Sequence, residues 1–138
     1  MAEYLADKSA LTRRGTRPEV RAVIEPLLLA GRIATCGIVD LELRFSARDA
    51  KTYRQLASAL QGMPRVPVDE DVIERALAVQ GHLARTSQHR AVPLPDLLIA
   101  ACAESQGLTV LHYDSDYDLI AKITKQPARW VVPRGSVA

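Results

Sequence analysis

Three aspartates spaced two apart, Asp114, Asp116 and Asp118, follow directly on the apolar run LTVLHY at residues 108–113. Two carboxylates about 4 Å apart repel by about 4 kcal/mol at an effective dielectric of about 20. A chain that sets several of them where a strand ends must point them apart or hold a cation between them. Other acids stand in comparable places: Asp7 closes EYLAD, Asp96 opens DLLIAACAES, and Glu42 lies inside IVDLELRFSA. Such a set suits a hard divalent cation. Mg²⁺ takes oxygen ligands, keeps several waters and needs only one or two carboxylates directly. Zinc fits worse, because His82, His89 and His112 show no ligand spacing and Cys36 and Cys102 stand alone. A calcium EF-hand starting at Asp114 needs Gly at its sixth position and Glu at its twelfth. Leu119 and Lys125 stand there instead.

The elements that must position these acids can be read from periodicity. EYLA (3–6) reads as a first strand ending at Asp7. TRPE (16–19) opens a helix with Thr16 as cap and Glu19 closing a capping box, running to Gly31 with a bend near Pro26. RIATC (32–36) is strand-like, 38–47 is helical, and 48–62 is a helix stopped by Gly62. MPRVPV (63–68), with two prolines, suits a short edge strand. A helix over 69–85 opens on acids that favour its N-terminus. A loop over 86–95 precedes an almost wholly apolar helix at 96–107. The strand 108–113, a helix from about 115 to 122 and a last strand RWVV (129–132) complete the chain. Strands alternating with helices of this length predict an α/β fold: one domain over residues 1–138 with a mainly parallel central sheet flanked by helices.

In such sheets ligands bind beyond the carboxyl ends of the strands. Asp7 and Asp114 are therefore expected on one edge. Asp96 directly precedes a helix and would also serve as its N-cap. Ser115 and Asp118 have capping-box spacing, which sets Asp118 apart from the site. Glu42 resists a structural account. On a wheel at about 100° per residue it falls near the middle of the apolar arc formed by Ile38, Val39, Leu41, Leu43 and Phe45. Asp40 and Arg44 fall opposite, as an ordinary i,i+4 surface pair. A carboxylate in a core-facing stripe needs a partner or a cation.

Composition narrows the class. With 48% hydrophobic residues the chain can build a core, but only 4% are aromatic, which argues against an extended platform for stacking bases. A net charge of +2 names no partner. Isolated Cys36 and Cys102 read as reduced, buried thiols of a cytoplasmic protein. MAEYLADKSA lacks the basic start and apolar run of a signal peptide, and PLLLAG (26–31) is too short to span a membrane.

Taken in order, Asp7 in LADKSAL, Glu42 in IVDLELRFSA, Asp96 in PLPDLLIAA, and Asp114 and Asp116 in VLHYDSDYD resemble the acidic set of PIN-domain ribonucleases, in particular the toxins of bacterial VapBC toxin–antitoxin pairs. The resemblance runs over nearly the whole chain. It implies a Mg²⁺- or Mn²⁺-dependent endoribonuclease, neutralised by a small antitoxin protein and commonly dimeric or in a hetero-oligomer with it. It also implies roles: Asp7 and Asp96 as direct metal ligands, Asp114 and Asp116 completing the site directly or through water, and Glu42 orienting the attacking water. Ser9 matches the family's first motif, whereas Lys8 stands where a small residue is usual. Lys8, Ser9 and Arg90 are candidates for holding RNA phosphate. Two other classes remain open on the residues alone. A phospho-receiver domain would need paired acids after its first strand, and only Asp7 is there. A binding module without catalysis would use the acids to anchor a partner's basic residue.

Overall fold

The computed structural model describes residues 1–138. Its first strand, β1 (Tyr4–Ala6), is the centre of the sheet. It pairs in parallel with β2 (Ile33–Cys36) on one side and β4 (Thr109–His112) on the other. The two edges are β3 (Arg65–Val66), beside β2, and β5 (Ala128–Trp130), beside β4. The order is β3-β2-β1-β4-β5 and every pairing is parallel. All five strands therefore deliver their carboxyl ends to one edge.

Between the strands run α1 (Lys8–Arg14), α2 (Pro18–Leu29), α3 (Gly37–Phe45), α4 (Ala50–Gln61), α5 (Glu70–Ala84), α6 (Leu94–Ser105) and α7 (Asp116–Thr124). Successive strand side chains point to opposite faces, so each strand feeds two cores. Leu5, Ala34 and Val110 face α3, α5, α6 and α7, in one buried cluster with Val39, Val79, Ile99 and Ile120. Their neighbours Ala6, Ile33 and Leu111 face α1 and α2, with Ala10, Val20 and Ile24. Full burial of one such aliphatic side chain stabilises by about 1.5–3 kcal/mol. Cys36 and Cys102 are both buried and free. No helix is long and apolar enough to cross a membrane.

Several local expectations are corrected. Residues 8–14 form α1, which the hydrophobic pattern does not announce; Asp7 caps it, accepting a hydrogen bond from the Ser9 amide. The residue before α2 is Arg17, without a side-chain cap, in place of Thr16. Asp96 is not a cap either: α6 begins two residues earlier, and Asp96 lies in its first turn. Ser115 precedes α7 but makes no capping bond. The carboxylate of Asp118 instead accepts from the Trp130 indole, 3.2 Å to each oxygen.

The largest correction concerns α3. Asp40 is 4% exposed, whereas Leu41 is 68% and Phe45 92% exposed. The buried side of the helix is Val39, Asp40 and Leu43. Asp40 does not pair with Arg44. Its Oδ1 accepts from the Thr35 hydroxyl at 2.8 Å, and Arg65 on the edge strand β3 forms its ion pair. A carboxylate on the inner side of the helix is tolerated because two other strands supply its partners.

Candidate metal site at the carboxyl edge of the sheet

Asp7 leaves the end of β1 and is buried. Its Oδ2 accepts from the Ser9 amide at 3.0 Å and its Oδ1 from the Tyr117 hydroxyl at 2.8 Å. The same hydroxyl stands 3.5 Å from Asp96 Oδ1, so Tyr117 bridges the two carboxylates. Asp114 follows β4, and its Oδ1 accepts from the Asp116 amide at 2.9 Å, a local Asx turn that opens α7. One carboxylate oxygen from each of Asp96, Asp114 and Asp116 lies within 4.8 Å of the others.

Three helix N-termini converge here. Asp7 caps α1, Asp96 is in the first turn of α6 and Asp116 is the first residue of α7. A helix N-terminus stabilises a carboxylate by about 0.3–1 kcal/mol. That is small against a repulsion of about 4 kcal/mol per close pair. Protonation makes up the difference in the metal-free chain. Burial, then the charge of Asp7, then Asp116 and Asp114 push the Asp96 carboxyl up to about 8. Burial also raises Asp116. Tyr117 is held well above the ordinary phenol range by burial and by Asp7 and Asp96, so it donates as a neutral hydroxyl.

The donors fit a hard cation. Asp96 Oδ2 is buried with no hydrogen-bond partner, in a carboxylate that shares a 4.8 Å cluster with those of Asp114 and Asp116. Burial also disfavours a charged His112, whose Nδ1 accepts from the Asp114 amide at 3.1 Å. That bond occupies the ring's lone pair and leaves no imidazole for a metal.

The other candidates are placed less centrally. Glu42 is half-buried; burial raises its carboxyl, and Lys8, 3.7 Å from Oε2, works against that shift. Its Oε1 is buried without a partner. Lys8 thus faces Glu42. The Ser9 hydroxyl accepts from the Tyr113 amide at 2.9 Å, tying α1 to the end of β4. Arg90 is exposed in the turn before α6. Tyr117 is the residue that sequence reasoning passes over. Nothing in the sequence singles it out; its burial in the fold is what obliges the phenol to find an acceptor.

Residues 4–123 match the family model of the PIN domain. The chain belongs to the PIN-domain family. It is 45% identical over 135 residues to Ribonuclease VapC51 of Mycobacterium tuberculosis, covering 98% of this chain and 97% of that one. Ribonuclease VapC21 of the same species is 44% identical over 134 residues, covering 96% of each. Among solved structures, a toxin–antitoxin complex from Klebsiella pneumoniae aligns with a TM-score of 0.73 at 19% identity, over 94% of this chain and 98% of that one. The DNA-bound VapBC of Salmonella typhimurium aligns at 0.74 and 18% identity, over 96% and 100%. At such identities the structures speak for the fold. Membership of the PIN family sets the phospho-receiver alternative aside.

Proposed function

We propose that this PIN domain is a divalent-metal-dependent endoribonuclease acting as the toxin of a toxin–antitoxin pair in the cytoplasm. The cluster of Asp96, Asp114 and Asp116 carboxylates, with a buried, unpartnered Oδ2 on Asp96, carries the proposal, in a chain 45% identical to a named ribonuclease. Mg²⁺, or Mn²⁺ in its place, would be held by Asp96, Asp114 and Asp116, with Asp7 joined to them through the Tyr117 hydroxyl. A bound divalent ion lowers the pKa of a coordinated water and stabilises the departing oxygen of the phosphodiester.

The chain's own groups do the rest. Tyr117 fixes the Asp7 and Asp96 carboxylates relative to each other. Glu42, with one oxygen free and the other held by Lys8, orients the attacking water. Lys8, Ser9 and Arg90 meet the phosphates of the strand. A small antitoxin is the cognate partner, and the toxin pairs with a second copy or forms a hetero-oligomer with the antitoxin.

Purified protein is expected to cleave bulk cellular RNA with Mg²⁺ or Mn²⁺ and to stop when a chelator is added. Asp7→Asn and Asp96→Asn should each abolish cleavage with an unchanged circular dichroism spectrum. Equal cleavage with and without chelator would sink the metal mechanism. No cleavage of any RNA would leave the site a binding module.

A further inference from the structure

We propose that Trp130, Tyr113, Arg134 and Arg13 form a ledge that stacks and steers single-stranded RNA beside the acidic site; this rests on the ribonuclease proposal. A pocket of carboxylates repels a phosphodiester chain, so cations outside the pocket must hold the strand. Two aromatic rings and two guanidiniums gather next to it. Tyr113 immediately precedes Asp114. Trp130 pairs with His112 across β4 and β5, and their ring centroids are 5.1 Å apart. The Tyr113 and Trp130 rings meet edge to face at 5.3 Å. The Arg13 guanidinium lies 4.5 Å from the Tyr113 ring and that of Arg134 lies 5.5 Å from the Trp130 ring.

The rings are held in place. The Trp130 indole donates to both oxygens of Asp118, which gives the third aspartate of the acidic run its task. The Tyr113 hydroxyl donates to Val137 O at 2.8 Å and accepts from Val137 N at 3.2 Å. A ring fixed in advance loses little freedom when a base stacks on it. Arg13 uses Nε on Ala138 O and Nη1 on Ser9 O, keeping Nη2 for a ligand. Arg134 is exposed and has neither hydrogen bond nor ion pair, so all its donors remain for a phosphate. Aromatic faces interleaved with arginines suit single strands, because every base has a face to stack. Two rings make a short ledge, which is compatible with the low aromatic content.

Trp130 is the only tryptophan, so its emission reports on the ledge directly. The full chain is titrated in chelator with an uncleavable single-stranded 2′-O-methyl oligonucleotide, with affinity read from the anisotropy of a labelled copy. Saturable quenching of Trp130 emission is expected. Trp130→Leu should weaken binding by about 5- to 150-fold, while Trp130→Phe stays within a few-fold of the parent. Arg134→Gln, a surface change that spares the fold, should weaken binding and reduce the slope of log affinity against log salt by about 0.7. Unchanged emission at saturating oligonucleotide, or parental affinity and salt slope in Arg134→Gln, overturns the ledge. If the parent cleaves RNA with Mg²⁺ while these variants bind as it does, the ledge fails and the ribonuclease proposal stands. If the parent neither binds nor cleaves RNA, both fail. Quenching by the cognate antitoxin alone would make the ledge a protein contact and also overturn the proposal.

Discussion

Asp96 carries most of the electrostatic strain in the site, and the strain has a sign. Its carboxyl keeps its proton up to about pH 8 in the folded chain, against an ordinary value of 3.8. The folded form therefore binds more protons than the unfolded form across that window, and stability falls as pH rises through it. Asp116 and Glu42, both raised by burial, act in the same sense. Metal-free protein should melt at a lower temperature at pH 8.5 than at pH 5. Asp96→Asn should flatten that slope and melt above the parent at pH 8.5. A variant with the parent's slope would mean that the strain sits elsewhere. Asp7 and Asp114 were legible in the sequence because each follows a predicted strand, whereas Asp96 stood at a helix start and reached the set through the family resemblance. Tyr117, which links two of them, was hidden because a tyrosine between two acids reads equally well as surface.

At the scale of elements, α3 shows where a helical wheel misleads. The wheel takes apolar residues as inward, and Leu41 and Phe45 are in fact outward, which swings the inferred core side away from Asp40. The partners that permit Asp40 to be buried come from β2 and β3, and no periodicity within the helix can announce them. Asp40→Ala strands the Thr35 hydroxyl and removes the partner of Arg65. It should cost about 1–3 kcal/mol in urea denaturation, whereas Phe45→Ser, at an exposed position, should stay within about 0.5 kcal/mol. Equal effects of the two would refute the observed register. The short helix α1 escaped for a related reason. Seven residues give too little periodicity, and what starts it is a side-chain bond from Asp7 that doubles as a site geometry. The parallel sheet, by contrast, follows from alternating strands and helices, a signal spread along the whole chain, whereas the strand order depends on long-range pairing that no local pattern announces.

For the molecule as a whole, the acidic edge stores a repulsion that the proposed divalent ion would relieve. A ligand that binds only the folded form stabilises it by about 2.7 kcal/mol at a hundred times its dissociation constant. Millimolar Mg²⁺ or Mn²⁺ should therefore raise the melting temperature of the parent. It should do so far less in Asp96→Asn or Asp116→Asn, and an equal rise in all three would place the ion elsewhere. The same edge also has a history in time. Asp7 is bonded to Tyr117, 110 positions later, and β1 lies between β2 and β4. During synthesis at about 5–20 residues per second, the first acid waits roughly 5–20 s for its counterparts to be made. A growing chain on the ribosome therefore carries an unassembled site until Tyr117 has been added and has emerged. On the proposed reading as a ribonuclease toxin, the order in which the residues are joined would keep the nascent chain harmless, and an antitoxin would be needed only after Tyr117 is in place.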